Sequence, residues 1–237
     1  MEIDAMIEAM LAPLEATAGD RRSSQASTDR RQQRRNSCEW SAMTTKECSE
    51  HVKAGGFDIG LLPFLPKLMS RMSARSSRRG WILTGPVGCG KTTAADWCRW
   101  AANKGRPRQE WVQMKNVLDI YDDIYDVMQR EGHMSEDKKA AYGLTRGECL
   151  HEHSLDLIID DLGAEPRMAI HFGQRSCPLQ EMLMRRYVAY PDAKTYITTN
   201  LTMDEIAREY GERVRSRLEE MCDVITLQGV DLRRRDR

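Results

Sequence analysis

The stretch Trp81-Ile-Leu-Thr-Gly85-Pro86-Val87-Gly88-Cys89-Gly90-Lys91-Thr92-Thr93 decides the fold. Its second part satisfies G-x-x-x-x-G-K-[ST] in full. It also stands where that spacing has a mechanical meaning, after the apolar run Trp81–Thr84 and before a helical pattern from Thr92 to about Ala102. Gly85, Gly88 and Gly90 let the backbone turn tightly and aim N–H groups at an anion, with Pro86, Val87 and Cys89 as spacers. The helix that follows adds the positive end of its dipole. In such a loop Lys91 neutralises the outer phosphates of a nucleoside triphosphate, and Thr92, with Thr93 behind it, offers a hydroxyl to Mg²⁺. Cys89 reads first as a small filler. A thiol at a helix N-terminus is also a position where oxidation is favoured.

Working outward, the partner of a phosphate loop is an apolar strand that ends in acids, and Leu155-Asp-Leu-Ile-Ile-Asp160-Asp161-Leu-Gly163 supplies one. The expectation is that Leu157–Ile159 lies beside the phosphate-loop strand. Asp160 then reaches the metal, usually through water, and Asp161 faces the γ-phosphate to orient or deprotonate the attacking water. Further along, Thr195-Tyr-Ile-Thr-Thr-Asn200-Leu is a strand ending in a polar triplet, which puts the Asn200 amide near the lytic water. Thr202-Met-Asp-Glu205 is a capping-box spacing that opens a helix. In Tyr210-Gly-Glu-Arg213-Val-Arg215-Ser-Arg217-Leu, Arg213 and Arg217 share a helix face. They either pair with nearby glutamates or reach into a neighbouring subunit's nucleotide site. With Trp111–Met114 and Val224–Leu227, the apolar runs make five strands separated by helical stretches. That predicts an α/β fold with a central parallel five-stranded sheet flanked by helices, its ligand at the strand C-termini.

Composition narrows the function. Lys+Arg and Asp+Glu are both 36, so net charge is zero and nucleic-acid contact must be local. No apolar run is long enough for a membrane span, and the N-terminus opens with acids, which argues against secretion. The 7 cysteines are scattered without a C-x-x-C pair, which implies reduced thiols and a cytoplasmic protein. Cys38, Cys48 and His51 supply three ligands where a structural zinc site needs four. No N-K-x-D tetrapeptide supports guanine reading. From Asp119 to Asp137 acids outweigh Arg130, which suits no phosphate-clamping kinase lid.

Ahead of the phosphate loop the chain divides into two. Residues 1–40 carry a short amphipathic helix (Ile3, Met6, Ile7, Met10, Leu11, Leu14) and a polar tether from Thr17 to Arg35, a pattern suited to docking in a partner's groove. Residues 41–79 read as a helical linker, with helices at 44–54 and Leu61–Ser77. Arg71, Arg75 and Arg78 fall on one face, as a solvated surface or a phosphate-contacting stripe. Residues 80–237 form the nucleotide-binding unit.

The motifs Gly85–Thr93, Leu157–Gly163, Arg186-Tyr187, Thr198-Thr-Asn-Leu201 and Tyr210–Leu218, in that order, resemble AAA+ ATPases of the DnaC/IstB type, the replicative helicase loaders and transposition helpers. The resemblance covers about residues 80–233. It implies an AAA+ core without a C-terminal lid and with a helical N-terminal extension. It also implies ATP and Mg²⁺ bound through Lys91, Thr92 and the acidic pair Asp160 and Asp161, with Asn200 as sensor. Arg217 matches the trans-acting finger, with Arg213 as its competitor, and Arg233 in Gly229-Val-Asp-Leu-Arg lies near the nucleotide. The function implied is ATP-dependent loading of a replicative helicase onto single-stranded DNA by a self-associating ATPase, the helicase being gripped through the N-terminal helix. The alternative is an IstB-like helper of a transposase.

Overall fold

The structure is a computed structural model and describes residues 42–73, 80–108, 111–130, 156–166, 169–171, 174–189, 193–228 and 231–232. The amphipathic helix, the tether, Cys38, the arginines at 75, 78 and 79, the acids beyond Arg130 and Arg233 lie outside them.

Two helices, α1 (Thr45–Ala54) and α2 (Leu65–Ser73), precede strand β1 (Trp81–Thr84). After the loop come α3 (Lys91–Asn103), β2 (Gln113–Asn116) and α4 (Val117–Arg130). The chain continues with β3 (Leu157–Leu162), the hairpin strands β4 (Ala169–His171) and β5 (Gln174–Ser176), and α5 (Pro178–Ala189). It closes with β6 (Thr195–Thr199), α6 (Met203–Tyr210), α7 (Glu212–Met221) and β7 (Asp223–Thr226). Five of the strands form one sheet in the order β2-β3-β6-β1-β7, and every pairing in it is parallel.

Both faces of the sheet are covered, so β1 and β6 are buried at every position instead of alternating. On one face, Ala94, Ala95, Cys98, Ala101 and Ala102 let α3 approach closely, and α2 adds Leu65, Leu68, Met69 and Met72 over Leu83, Ile158 and Tyr196. On the other, α4 to α7 contribute Ile120, Leu183, Ile206, Val214 and Leu218 against Ile82, Ile159 and Ile197. Each such side chain contributes about 1.5–3 kcal/mol on burial. The segment 45–73 thus forms one layer of the covering.

The sheet order corrects one expectation. β3 is not beside β1, because β6 lies between them, paired to both. Periodicity identifies a buried strand but carries no information about its neighbours. Thr198 and Thr199 of β6 bond to the end of β3, and Thr84 of β1 bonds to Leu201 just past β6, so β6 is tied to both neighbours.

Boundaries move for identifiable reasons. β2 begins two residues later than its apolar run, because Asn103 clamps Val112 first: the Val112 N–H donates to Asn103 Oδ1 (2.7 Å) and the Asn103 amide to the Val112 carbonyl (3.2 Å). α2 begins at Leu65 and not Leu61, since Asp58 caps a 3₁₀ turn over Ile59–Leu61 by accepting from Gly60 N–H. β3 runs through both acids to Leu162, and β7 starts one residue early at Asp223. The β4–β5 hairpin is too short to leave a periodic signal. Among the described residues no helix is long and apolar enough to cross a membrane.

Candidate active site

Parallel strands deliver their C-termini to one edge. There β1 feeds the phosphate loop, β3 ends in the acids, and β6 enters between them. Gly88 has φ +80, and a Cβ there would stand 1.9 Å from Asp231 Oδ1, so only glycine fits this point of the loop. Lys91 is buried with its ammonium turned back on the loop, donating to the carbonyls of Gly85 and Pro86 at 2.8 Å each, with Cys89 Sγ 3.7 Å away. Its hydrogen bonds go to uncharged acceptors, which a phosphate oxygen would outbid. Val87 is exposed at the loop tip, while Cys89 is buried beneath it.

A short hydroxyl relay joins the loop to the acids. The Thr92 hydroxyl donates to Asp160 Oδ1 (3.1 Å), and Thr198 from β6 donates to the same oxygen (2.6 Å). Thr198 in turn accepts from the Asp161 N–H (2.9 Å). Thr199 donates to the Leu162 carbonyl (2.7 Å), and Thr84 of β1 to the Leu201 carbonyl (2.6 Å). Three strand ends are therefore tied together at the site. Burial pushes the Asp160 carboxyl above its ordinary value, and the negative Asp161 adds to this against the two threonine hydrogen bonds. Hydroxyl and carboxylate oxygens at this separation are the hard donors that Mg²⁺ takes, and a cation there would relieve the Asp160 burial cost.

Asp161 has φ +60, the one non-glycine residue in the left-handed region among those described, and the β3 register shifts between Ile159 and Leu162. The bulge turns Asp161 out of the strand line, leaving it half-buried beside the more deeply set Asp160. Strain of this kind persists where the surroundings enforce it, and it concentrates at reactive positions. Asn200 is exposed just past β6, and Thr93 is exposed one residue beyond Thr92.

The arginines divide. Arg217 is held within the protomer: it donates to the Tyr187 hydroxyl (3.0 Å) and Glu220 (2.9 Å), with its guanidinium 4.5 Å above the Tyr187 ring. Arg213, near the start of α7, is exposed. Arg215 lashes α7 to α6 through Asp204 (3.0 Å) and pairs with Glu219. Cys48 is fully buried and His51 stacks on Trp100, with centroids 3.4 Å apart. Both are thus absorbed into the packing of α1 on α3.

Sequence reasoning missed Thr198, Thr84 and Leu62 beside the site, and Tyr187 as the partner of Arg217. Leu62 and Leu232 flank Gly90, an apolar edge next to the phosphate loop. Thr198 lay in the polar triplet but was legible only once β6 sat beside β3. Tyr187 carried no signal beyond its place in a motif.

No family model matches the chain. No curated protein matches it either. Among solved structures it is similar to the DnaC helicase loader, with TM-score 0.52 and 18% identity, covering 71% of this chain and 90% of that one. It is also similar to domain III of the replication initiation protein DnaA from Thermotoga maritima, with TM-score 0.50 and 18% identity over 69% of this chain and 60% of that chain. Strand order, loop and acid placement and these likenesses agree: the chain has the AAA+ P-loop fold that both of those proteins share.

Proposed function

We propose that this protein is an ATP-hydrolysing AAA+ loader that delivers a replicative helicase to single-stranded DNA. The observation that carries the ATPase reading is the Thr92–Asp160–Thr198 relay, which brings the phosphate loop, the acids and β6 to one point. The likeness to the DnaC helicase loader, which extends over 90% of that chain, supports the loading role.

In this reading the loop amides and Lys91 grip the β- and γ-phosphates, while Thr92 and Asp160 hold Mg²⁺. The ion supplies charge neutralisation across the phosphates. Asp161, turned out by the bulge, orients and deprotonates the attacking water, and the Asn200 amide steadies it. Arg217 or Arg213 of a neighbouring subunit completes the charge stabilisation, so an isolated protomer hydrolyses slowly. The Arg217–Glu220 pair is surface-exposed and worth at most about 1 kcal/mol, so it gives way readily to a phosphate. Zero net charge makes the DNA contact local, with a shallow dependence of affinity on salt.

The test is capture with the Asp161→Asn variant and ATP, which stalls the complex before hydrolysis. Recovery of a hexameric helicase, with loss of the complex on deleting residues 1–16, is the expected result. Recovery of a transposase instead would overturn the loading role and leave the ATPase reading standing. Failure of the wild-type protein to retain ATP would remove both.

A further inference from the structure

Immediately after the acids, the chain makes a tight turn closed by the Ala164 N–H donating to the Asp161 carbonyl (3.0 Å). Glu165, buried, reaches back across this turn and accepts from the Gly163 N–H (2.9 Å). Its other oxygen accepts a short hydrogen bond from the Tyr210 hydroxyl. Tyr210 is also buried, and that burial, with the Glu165 charge added, pushes its ionisation far above the ordinary phenol value, so the hydroxyl stays a donor. A carboxylate in the interior thus spends its two oxygens on two distinct segments, the acid turn on one side and the end of α6 on the other. A buried anion is costly unless its acceptors are filled, and each of these bonds is charge-assisted.

Tyr210 is the last residue of α6, and Gly211 follows with φ +91. The same Gly211 carbonyl accepts from Val214 (3.1 Å) and Arg215 (3.2 Å), and α7 begins at Glu212 with Arg213 next. Ile206 and Tyr210 of α6 share one buried cluster with Val214 and Leu218 of α7, so the two helices pack as a hairpin with Tyr210 at its bend, and Arg215 adds a surface pair to Asp204. The hairpin also presents Arg213 and Arg217. Glu165 thus bridges the acid turn and the arginine-bearing hairpin.

We propose that Glu165 and Tyr210 are positioning residues. They fix the hairpin to the acid turn, so that the state of one protomer's nucleotide site sets how its arginines meet the next protomer's nucleotide. This rests on the ATPase reading above and adds to it a path between two sites. The prediction is directional: the defect belongs to the protomer that donates the arginines, not to the one that receives them.

The experiment mixes two defective full-length proteins. Acceptor protomers carry Arg213→Ala with Arg217→Ala and keep their acids; donor protomers carry Asp161→Asn and keep their arginines. If arginines act in trans, the mixture regains ATP turnover. Adding Tyr210→Phe, which removes the hydroxyl and keeps the ring, to the donor lowers that recovered turnover about tenfold or more, as expected for a misplaced transition-state group. The same change in the acceptor leaves it within about twofold, and ATP affinity of the dilute Tyr210→Phe protein stays at the wild-type value. Glu165→Gln, which keeps an acceptor for the tyrosine, retains more donor function than Glu165→Ala. Equal loss from either side, no loss from the donor, or loss of ATP affinity would overturn the proposal. A control mixture with no recovery would instead defeat the trans-arginine reading, and the proposal with it. A Tyr210→Phe melting temperature near wild type separates positioning from misfolding, and Glu165→Gln serves as the second variant.

Discussion

At the amino-terminal end of the sheet, Asp156, Arg186, Lys194 and Thr195 are gathered as tightly as the residues of the opposite end. Asp156 accepts from the Lys194 N–H (3.0 Å), while Arg186 donates to Thr195 Oγ1 (3.2 Å) and the Lys194 carbonyl (3.3 Å). Arg186 is 1% exposed, yet its charge is spent on fixed neighbours. At the carboxyl end the polar groups are arranged differently. Lys91 leans on loop carbonyls, Asp161 is strained outward, and Asn200 and Thr93 face solvent. The same sheet therefore carries one polar end that is closed on itself and one that is left incomplete. Only the incomplete end can exchange its partners for a ligand without dismantling the fold.

Substitutions at the two ends should fail in opposite ways. Asp161→Asn is expected to reduce steady-state ATP turnover by about 10²–10⁴-fold, the usual share of a general base, while ATP stays bound. Its thermal unfolding should occur no lower than wild type, since a like charge beside Asp160 is removed. A large drop in melting temperature with turnover preserved would break the comparison. At the other end, Arg186→Ala takes its donor from Thr195 Oγ1, leaves the Lys194 carbonyl with the Leu157 N–H alone of those two donors, and opens a cavity. The expected cost is about 3–5 kcal/mol, or roughly 10 °C in melting temperature by circular dichroism. ATP affinity measured well below that temperature should be unchanged.

The pH response should differ in sign between regions. Asp160 is raised by burial and by Asp161, so the folded state holds its proton where the unfolded state has lost it. Its contribution to stability is present below the ordinary carboxylate value and falls as pH climbs through the raised one. Glu205, lowered by the backbone and side-chain hydrogen bonds of Thr202, does the reverse: its contribution exists above the ordinary value and disappears as pH falls through the lowered one. Melting temperature against pH, compared between wild type and Asp160→Asn, should lose the falling segment in the variant. Asp161→Asn should narrow that segment without abolishing it. A variant curve parallel to wild type would sink the argument.

The incomplete end was also the legible one. Phosphate loops and acid-ended strands fix residue type by spacing along one segment, so Lys91, Thr92, Asp160 and Asp161 could be named before any fold was known. Where two segments meet, spacing is silent. Nothing local in Thr195–Thr199 says that it inserts between β1 and β3, and hence that Thr198 serves Asp160. Glu165 and Tyr210 stand 45 residues apart in sequence and become partners only when α6 closes over the acid turn. Arg186 was noticed for its place in a motif, but its burial comes with the docking of α5 beside α4 and α7, its side chain reaching Thr195 and Lys194. The Trp111–Met114 run was displaced because Asn103 took the backbone groups of Val112, a competition between side chain and ladder that hydropathy does not record.

The smallest expected effect sharpens what closure means. Arg71 reaches Asp223 at 2.5 Å, joining α2 to β7 near the closed end, and could be mistaken for a second Arg186. It differs in exposure, with 53% of its side chain open to solvent. A salt bridge in that setting is screened and pays side-chain entropy, so Arg71→Ala should cost no more than about 1 kcal/mol. The loss should shrink further as salt is raised, because the Debye length contracts. Because its charge is already neutralised by Asp223, polynucleotide affinity should keep its wild-type salt slope in the same variant. If Arg71→Ala melted as early as Arg186→Ala, burial would not be what separates the two arginines. A slope reduced by about one unit would show instead that Arg71 abandons Asp223 for phosphate.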